Sequence, residues 1–206
     1  MIEYDVRKAL KELYNPKKEP SLVYAPQQVY CIVDGEGKAE DEAYELAVQM
    51  LYAISTTLQA EFGRHRLYQS FAVSPLECLW LPLETENRRT WQWSAMIAQP
   101  DWLNEELFLQ VRDQVAFKQG LSTASVHLGL LEEGLCVTAL HTGSYKDEVA
   151  SMARMQAFCD EHGLRRVGTA HREIYLDNCR NTRAALLRTA VPSANMPAWA
   201  TPSWSA

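Results

Sequence analysis

A chain of 206 residues is long enough for one large domain with a pocket in its core, because a fold of this size withdraws roughly 70 % of its unfolded surface from water. Its formal charge of −6 excludes a general nucleic-acid binder, which needs a basic face against phosphates. With 47 % hydrophobic and 22 % charged residues it reads as globular, and no window approaches the roughly 18 apolar residues of a membrane span.

The lead MIEYDVRKALKEL is charged throughout, suits helix, and lacks the apolar stretch of a signal peptide, so a cytoplasmic location is expected. NPKKEPSLVYAPQQ, punctuated by Pro16, Pro20 and Pro26, predicts an extended arm. VYCIV is a strand by its β-branched and aromatic content, closed by the turn DGEG. A long helix follows. Tyr44, Val48, Leu51, Ser55, Leu58 and Phe62 recur at helical spacing, acidic residues at 40–42 favour its N-terminal dipole, and Gly63 stops it.

Residues 67–81 predict two strands broken by Pro75, and TWQWSAMIA alternates as another. Asn104 caps a second helix over about 105–118, with Leu107, Val111 and Val115 inward. ASVHLGLL and LCVTALHTG, joined by EEG, predict a hairpin. KDEVASMARMQAFCDEHG is an amphipathic helix with Val149, Met152, Met155 and Cys159 inward, and RRVGTAHREIYLD supplies strands. Five widely spaced cysteines (Cys31, Cys78, Cys136, Cys159, Cys179), with no C-x-x-C, read as buried thiols, and no metal site is expected.

The order strand, helix, strand, strand therefore occurs twice, over about 27–98 and 123–178, within a single domain of residues 1–190. The fold class is α+β. Glu77 in SPLECLW and Glu173 in AHREIYL fall at equivalent points of the two copies, so copies joined edge to edge about a pseudo-two-fold axis would turn both carboxylates to one central cleft. Residues 191–206, rich in Pro, Ala and Ser, predict a flexible tail, although Trp199 and Trp204 give it a means of docking.

LKELYNPKKEPSLVYAPQQVYCIVDGEG, LYAISTTL, SPLECLW, WQWSAMIAQPDW, EEGLCVTALHTGSY and HREIYL together resemble, in order and spacing over about residues 4–192, the GyrI-like small-molecule-binding family. The resemblance implies duplicated strand-helix-strand-strand (SHS2) units in a curved antiparallel sheet, helices on one face, and a ligand groove between the units. It makes Glu173 the ligand-facing carboxylate. The motifs P-L-E-x-L-W and W-x-W point to a stand-alone branch that hydrolyses cyclopropanoid DNA-alkylating compounds, whereas the drug-sensing regulator role lacks its DNA-binding module here. Ser144, Leu81 and Asn178-Cys179 depart from the family pattern, and Leu81 puts one pocket aromatic in doubt.

On a strand His171, Glu173 and Tyr175 share one face and Arg172, Ile174 and Leu176 the other. Burying an unpaired carboxylate costs at least a few kcal/mol unless it is hydrated or protonated. The competing reading leaves Glu173 solvated or paired with Arg172, Arg165 or Arg166. Trp91, Trp93 and Trp80 offer flat faces for a flat ligand, or else plain core; Tyr145 either closes over the groove or caps its loop. Two ligand classes suit a carboxylate among rings. A lipophilic cation gains charge pairing and cation-π attraction, while a planar cyclopropanoid stacks and is opened by water that Glu173 deprotonates, with Glu77 as second carboxylate. No cofactor motif is present. The readings in play are a hydrolase, a non-catalytic binder of cations and a gyrase-inhibitor-type partner, as monomer or homodimer, with no nucleic-acid or membrane contact.

Overall fold

The computed structural model describes residues 3–63, 65, 67–81, 91–143, 148–177 and 188–194. Two one-turn helices, α1 (Val6–Ala9) and α2 (Lys11–Tyr14), lead into β1 (Ser21–Ala25) and β2 (Gln28–Glu36). Then come α3 (Glu42–Phe62), β3 (Leu76–Leu81), β4 (Gln92–Gln99), α4 (Glu105–Gln119), β5 (His127–Leu131), β6 (Gly134–Thr142), α5 (Glu148–Glu161), β7 (His171–Tyr175) and β8 (Arg188–Ala194). All eight strands join one antiparallel sheet in the order β1-β6-β8-β7-β3-β4-β2-β5.

Strand-helix-strand-strand does occur twice, as β2-α3-β3-β4 and β6-α5-β7-β8, and the two sets meet at the β3–β7 seam with their orders mirrored about it. The lead strands are exchanged. β5 pairs with β2 and β1 with β6, so the hairpin expected of β5 and β6 does not form. The register runs on without a slip: Ser21 opposes Thr138, Ala25 opposes Gly134, Gln28 opposes Leu131 and Ile32 opposes His127. A two-residue link therefore joins the first strand of the sheet to the seventh, which forces the sheet to curl strongly.

The alternation of each strand gives the sheet two buried faces. Cys31 and Val33 of β2, Cys78 and Trp80 of β3, and Ala95 and Ile97 of β4 pack with Tyr44, Ala47, Leu51, Ile54 and Leu58 of α3. Each such aliphatic side chain stabilises by roughly 1.5–3 kcal/mol on full burial. Ser55, also on that helical face, is satisfied by Gln99, whose Nε2 donates to its Oγ at 2.8 Å. The opposite face carries one cluster of Tyr30, Ile32, Leu79, Met96 and Leu131 and another in which Val23, Ala25, Cys136 and Ile174 pack with Val6, Leu13 and Tyr14 from α1 and α2.

The helix predictions hold at α3 and α4. Asn104 caps α4 through a hydrogen bond from the Leu107 amide at 3.0 Å, and Gly120 ends it at φ +67°. Val149, expected inward on α5, is 71 % exposed, because the buried stripe runs through Ser151, Met155 and Cys159. Residues 67–75 form no strand; Phe71 makes one isolated bridge to Tyr4, and only β3 follows Pro75. β2 runs through Asp34-Gly35-Glu36, and the turn falls at Gly37, φ +111°. Val191–Ala194 are not tail: they lie in β8, paired to β6, which completes the second strand-helix-strand-strand set beyond its expected end. Residues 195–206, with Trp199 and Trp204, lie outside the described residues.

Candidate functional site

Across the seam Cys78 opposes Glu173 and Trp80 opposes His171, with Glu77 opposite Ile174 and Leu79 opposite Arg172. Opposed residues share a face, so His171, Glu173 and Tyr175 stand with Cys78 and Trp80 on the side of α3. A groove of about 1330 Å³ opens there, with Trp80, Trp91, Glu173 and Tyr175 at its base and Tyr44, Val48 and Tyr52 of α3 along one wall. Its mouth carries Glu40, Glu42, Glu45 and Asp177 against Lys38 and Arg7. The groove is acidic.

Glu173 is only 6 % exposed at the base. His171 Nε2 lies 3.3 Å from its Oε1, and the Trp80 indole donates from Nε1 to Tyr175 Oη at 3.3 Å. Tyr44 stacks on Trp80 with centroids 5.6 Å apart, while Trp91 stands edge-on to both Trp80 and His171. Burial, then the charge of Glu173, pushes the Tyr175 phenol and the Cys78 thiol well above their ordinary values; burial does the same for Tyr44. These groups keep their protons near neutral pH and serve as donors, not acceptors of charge.

Glu77 does not face this groove. It is fully buried on the other side of the sheet, where Arg172 donates to it at 2.9 Å and the Tyr14 hydroxyl hydrogen-bonds it. Arg172 also donates to Tyr30 Oη at 2.9 Å and lies 2.6 Å from Glu133 Oε2 as an ion pair. Two carboxylates against one guanidinium, all buried, push both Glu77 and Glu133 upward: desolvation is the largest cause, and Arg172 opposes it. The physical reason for the misplacement is register: Cys78, one residue on, occupies the point across from Glu173, and a one-residue offset turns a side chain to the opposite face. The same alternation removes Arg172 as a partner of Glu173.

Of the other expected ligand residues, Trp93 is buried beneath the groove, edge-on to Tyr44 at 5.1 Å, and belongs to the core. Its ring lies on Gly35, where a Cβ would stand 2.3 Å from it, so this strand position requires glycine. Tyr145 lies outside the described residues. Tyr44 joins the groove although its spacing reads as core; its hydroxyl, one of two on that stripe with Ser55, is the signal the sequence offers.

The family model described as GyrI-like small molecule binding domain matches residues 18–192. A hydrolase from Listeria innocua shares 32 % identity at a TM-score of 0.86 over 94 % of this chain and 99 % of its own. An uncharacterized conserved protein from Listeria innocua shares 33 % identity at the same TM-score over 93 % and 98 %. The EcmrR C-terminal domain, 11 % identical at a TM-score of 0.53 over 85 % and 96 %, has a similar fold. A comparison with curated proteins finds no match.

Proposed function

Because the chain belongs to the GyrI-like small-molecule-binding domain family, we propose that it takes a flat aromatic cyclopropanoid into the groove over the β3–β7 seam and hydrolyses its cyclopropane, as a detoxifying enzyme. One observation carries this reading: a carboxylate, Glu173, stands nearly dry at the base of a groove lined by Trp80, Trp91, Tyr44 and Tyr175. The label of hydrolase on a relative 32 % identical along nearly the whole chain supports it.

In the proposed reaction a water oxygen bonds to a cyclopropane carbon and gives a proton to Glu173. The ring carbon-carbon bond breaks, its electron pair passes into the conjugated carbonyl, and that oxygen takes up a proton to become a phenol. The sum is the addition of one water. Aromatic walls hold the plane of the ligand, and the scarcity of solvent at Glu173 strengthens its pull on the water proton.

The acidic mouth favours a second reading, a binder of lipophilic cations without turnover, through the same Glu173 and rings. Purified protein mixed with a spirocyclopropane-dienone separates the two. Hydrolysis gives a product heavier by one water, and Glu173→Gln lowers its rate by about a hundredfold or more while tryptophan quenching by the neutral ligand persists. Quenching without product in the wild type, and loss of cation binding in Glu173→Gln, would replace the hydrolase by the binder.

A further inference from the structure

Trp80 and Tyr175 do not oppose each other across the seam; Trp80 opposes His171, and Glu173 with its partner Cys78 lies between that pair and Tyr175. Their side chains nevertheless meet, indole N–H to phenol oxygen at 3.3 Å, so the two lean toward one another over Cys78 and Glu173. A phenol whose oxygen already accepts from an indole has one proton left to place; Tyr44 and the Glu173 carboxylate are both its side-chain hydrogen-bond partners, and the carboxylate, being charged, is the stronger acceptor. From the other side of the same strand face His171 reaches Glu173 Oε1 at 3.3 Å and donates when its proton is on Nε2.

We propose that Trp80, Tyr175 and His171 form a donor chain that fixes the Glu173 carboxylate, which makes Tyr175 and His171 positioning residues and gives Trp80 a second role besides its flat face. The inference rests on the reading of Glu173 as the working carboxylate of the groove and deepens it by naming what aims that group. A carboxylate gripped on both flanks keeps a lone pair directed into the groove and stays ionised at lower pH, because donors stabilise the charged form. The ionisable groups packed about Glu173 include His171 and Tyr175 on its own strand, Cys78 on β3 and Tyr44 on α3, and Tyr175, Cys78 and Tyr44 carry no charge near neutral pH. The same groove is also lined by the charged Arg7, Lys38, Glu40, Glu42, Glu45 and Asp177, which every variant retains.

The test is a pH titration of the Glu173 carboxyl by 13C NMR on protein labelled at glutamate, assigned by the resonance lost in Glu173→Gln. It runs on wild type, Tyr175→Phe and Trp80→Phe, each first shown to melt within a few degrees of wild type. Tyr175→Phe keeps the ring and removes only the donor, so the carboxyl midpoint moves up by about one pH unit, a tenfold gain in proton affinity. Trp80→Phe moves it the same way by less. With the spirocyclopropane-dienone as probe, the acid limb of kcat in Tyr175→Phe, which keeps the ring of the groove, shifts upward with the midpoint while KM stays within about twofold. An unmoved midpoint in Tyr175→Phe, or a change in KM alone, makes Tyr175 a groove wall and overturns the proposal. A midpoint that moves as expected in a wild-type protein without turnover keeps the donor chain and removes the hydrolase.

Discussion

Replacing Glu77 tests whether the two glutamate strands do one job or two. Glu77→Ala removes the 2.9 Å ion pair from Arg172 and the hydrogen bond from Tyr14, and it leaves a cavity in a region without water access. Breaking a buried pair from one side costs about 3–5 kcal/mol, against a total stability of about 5–15 kcal/mol for a typical domain. At about 2–4 °C per kcal/mol for a chain of this length, Tm falls by roughly 6–20 °C. Glu77→Gln is a different perturbation: it keeps the shape and an acceptor for Arg172 or Tyr14, and it removes the excess negative charge that Glu133 already supplies. Its cost stays within about 2 kcal/mol. Urea and thermal melts of both variants, together with ligand quenching and dienone turnover, give the result. If Glu77→Ala melts within about 1 kcal/mol of wild type, the buried triad is not an anchor. If Glu77→Gln folds as wild type yet loses ligand or turnover, Glu77 serves the groove after all and the two-face argument is wrong.

The remaining expectations concern pH, packing and capping. Glu77 and Glu133 both have raised folded-state values, so their contribution to stability is complete below the unfolded carboxyl range near 4.3 and fades as pH rises through the folded value. The urea midpoint should therefore fall as pH rises above the unfolded carboxyl range, and Glu133→Gln should flatten that decline; a decline unchanged in the variant would place the proton elsewhere. Gly35→Ala drives a methyl into the Trp93 ring and should cost about 1–3 kcal/mol, with a changed tryptophan emission. Asn104→Ala loses the α4 cap and should cost about 1 kcal/mol in a urea melt, without effect on the ligand groove.

Local signals in the sequence were strong wherever one short segment decided the outcome. The spacing of Tyr44, Leu51, Ser55 and Leu58 marks the inner face of α3, and Asn104 marks the start of α4. The order of elements, and with it the fold class and the face shared by His171, Glu173 and Tyr175, follows from such signals. What failed depends on partners far away in the chain. β5 and β6 are adjacent in sequence and have a hairpin-like link, yet each extends a strand that pairs with the other half, which no local pattern records. The sequence cannot place Glu77, because register between distant strands is invisible in either strand alone, and its partners come from β7 and α2. Val191–Ala194 look like tail because Pro192 and small residues disfavour strand locally, while β6 supplies the pairing that overrides them.

The exchange of lead strands makes the two halves interlocked rather than merely adjacent. The sequential neighbours β1 and β2 sit on opposite flanks of the sheet order, as do β5 and β6, so cutting the chain between α4 and β5 leaves each fragment holding a strand that belongs in the other's sheet. Each half alone exposes an unfilled edge, which is a template for association. Pairings such as Ser21 with Thr138 close loops of more than a hundred residues, so β1 finds its partner only after β6 has been made, whereas β2, β4 and β3 can pair among themselves within the first hundred residues. The seam itself joins β3 to β7, so the groove exists only in the finished cloth.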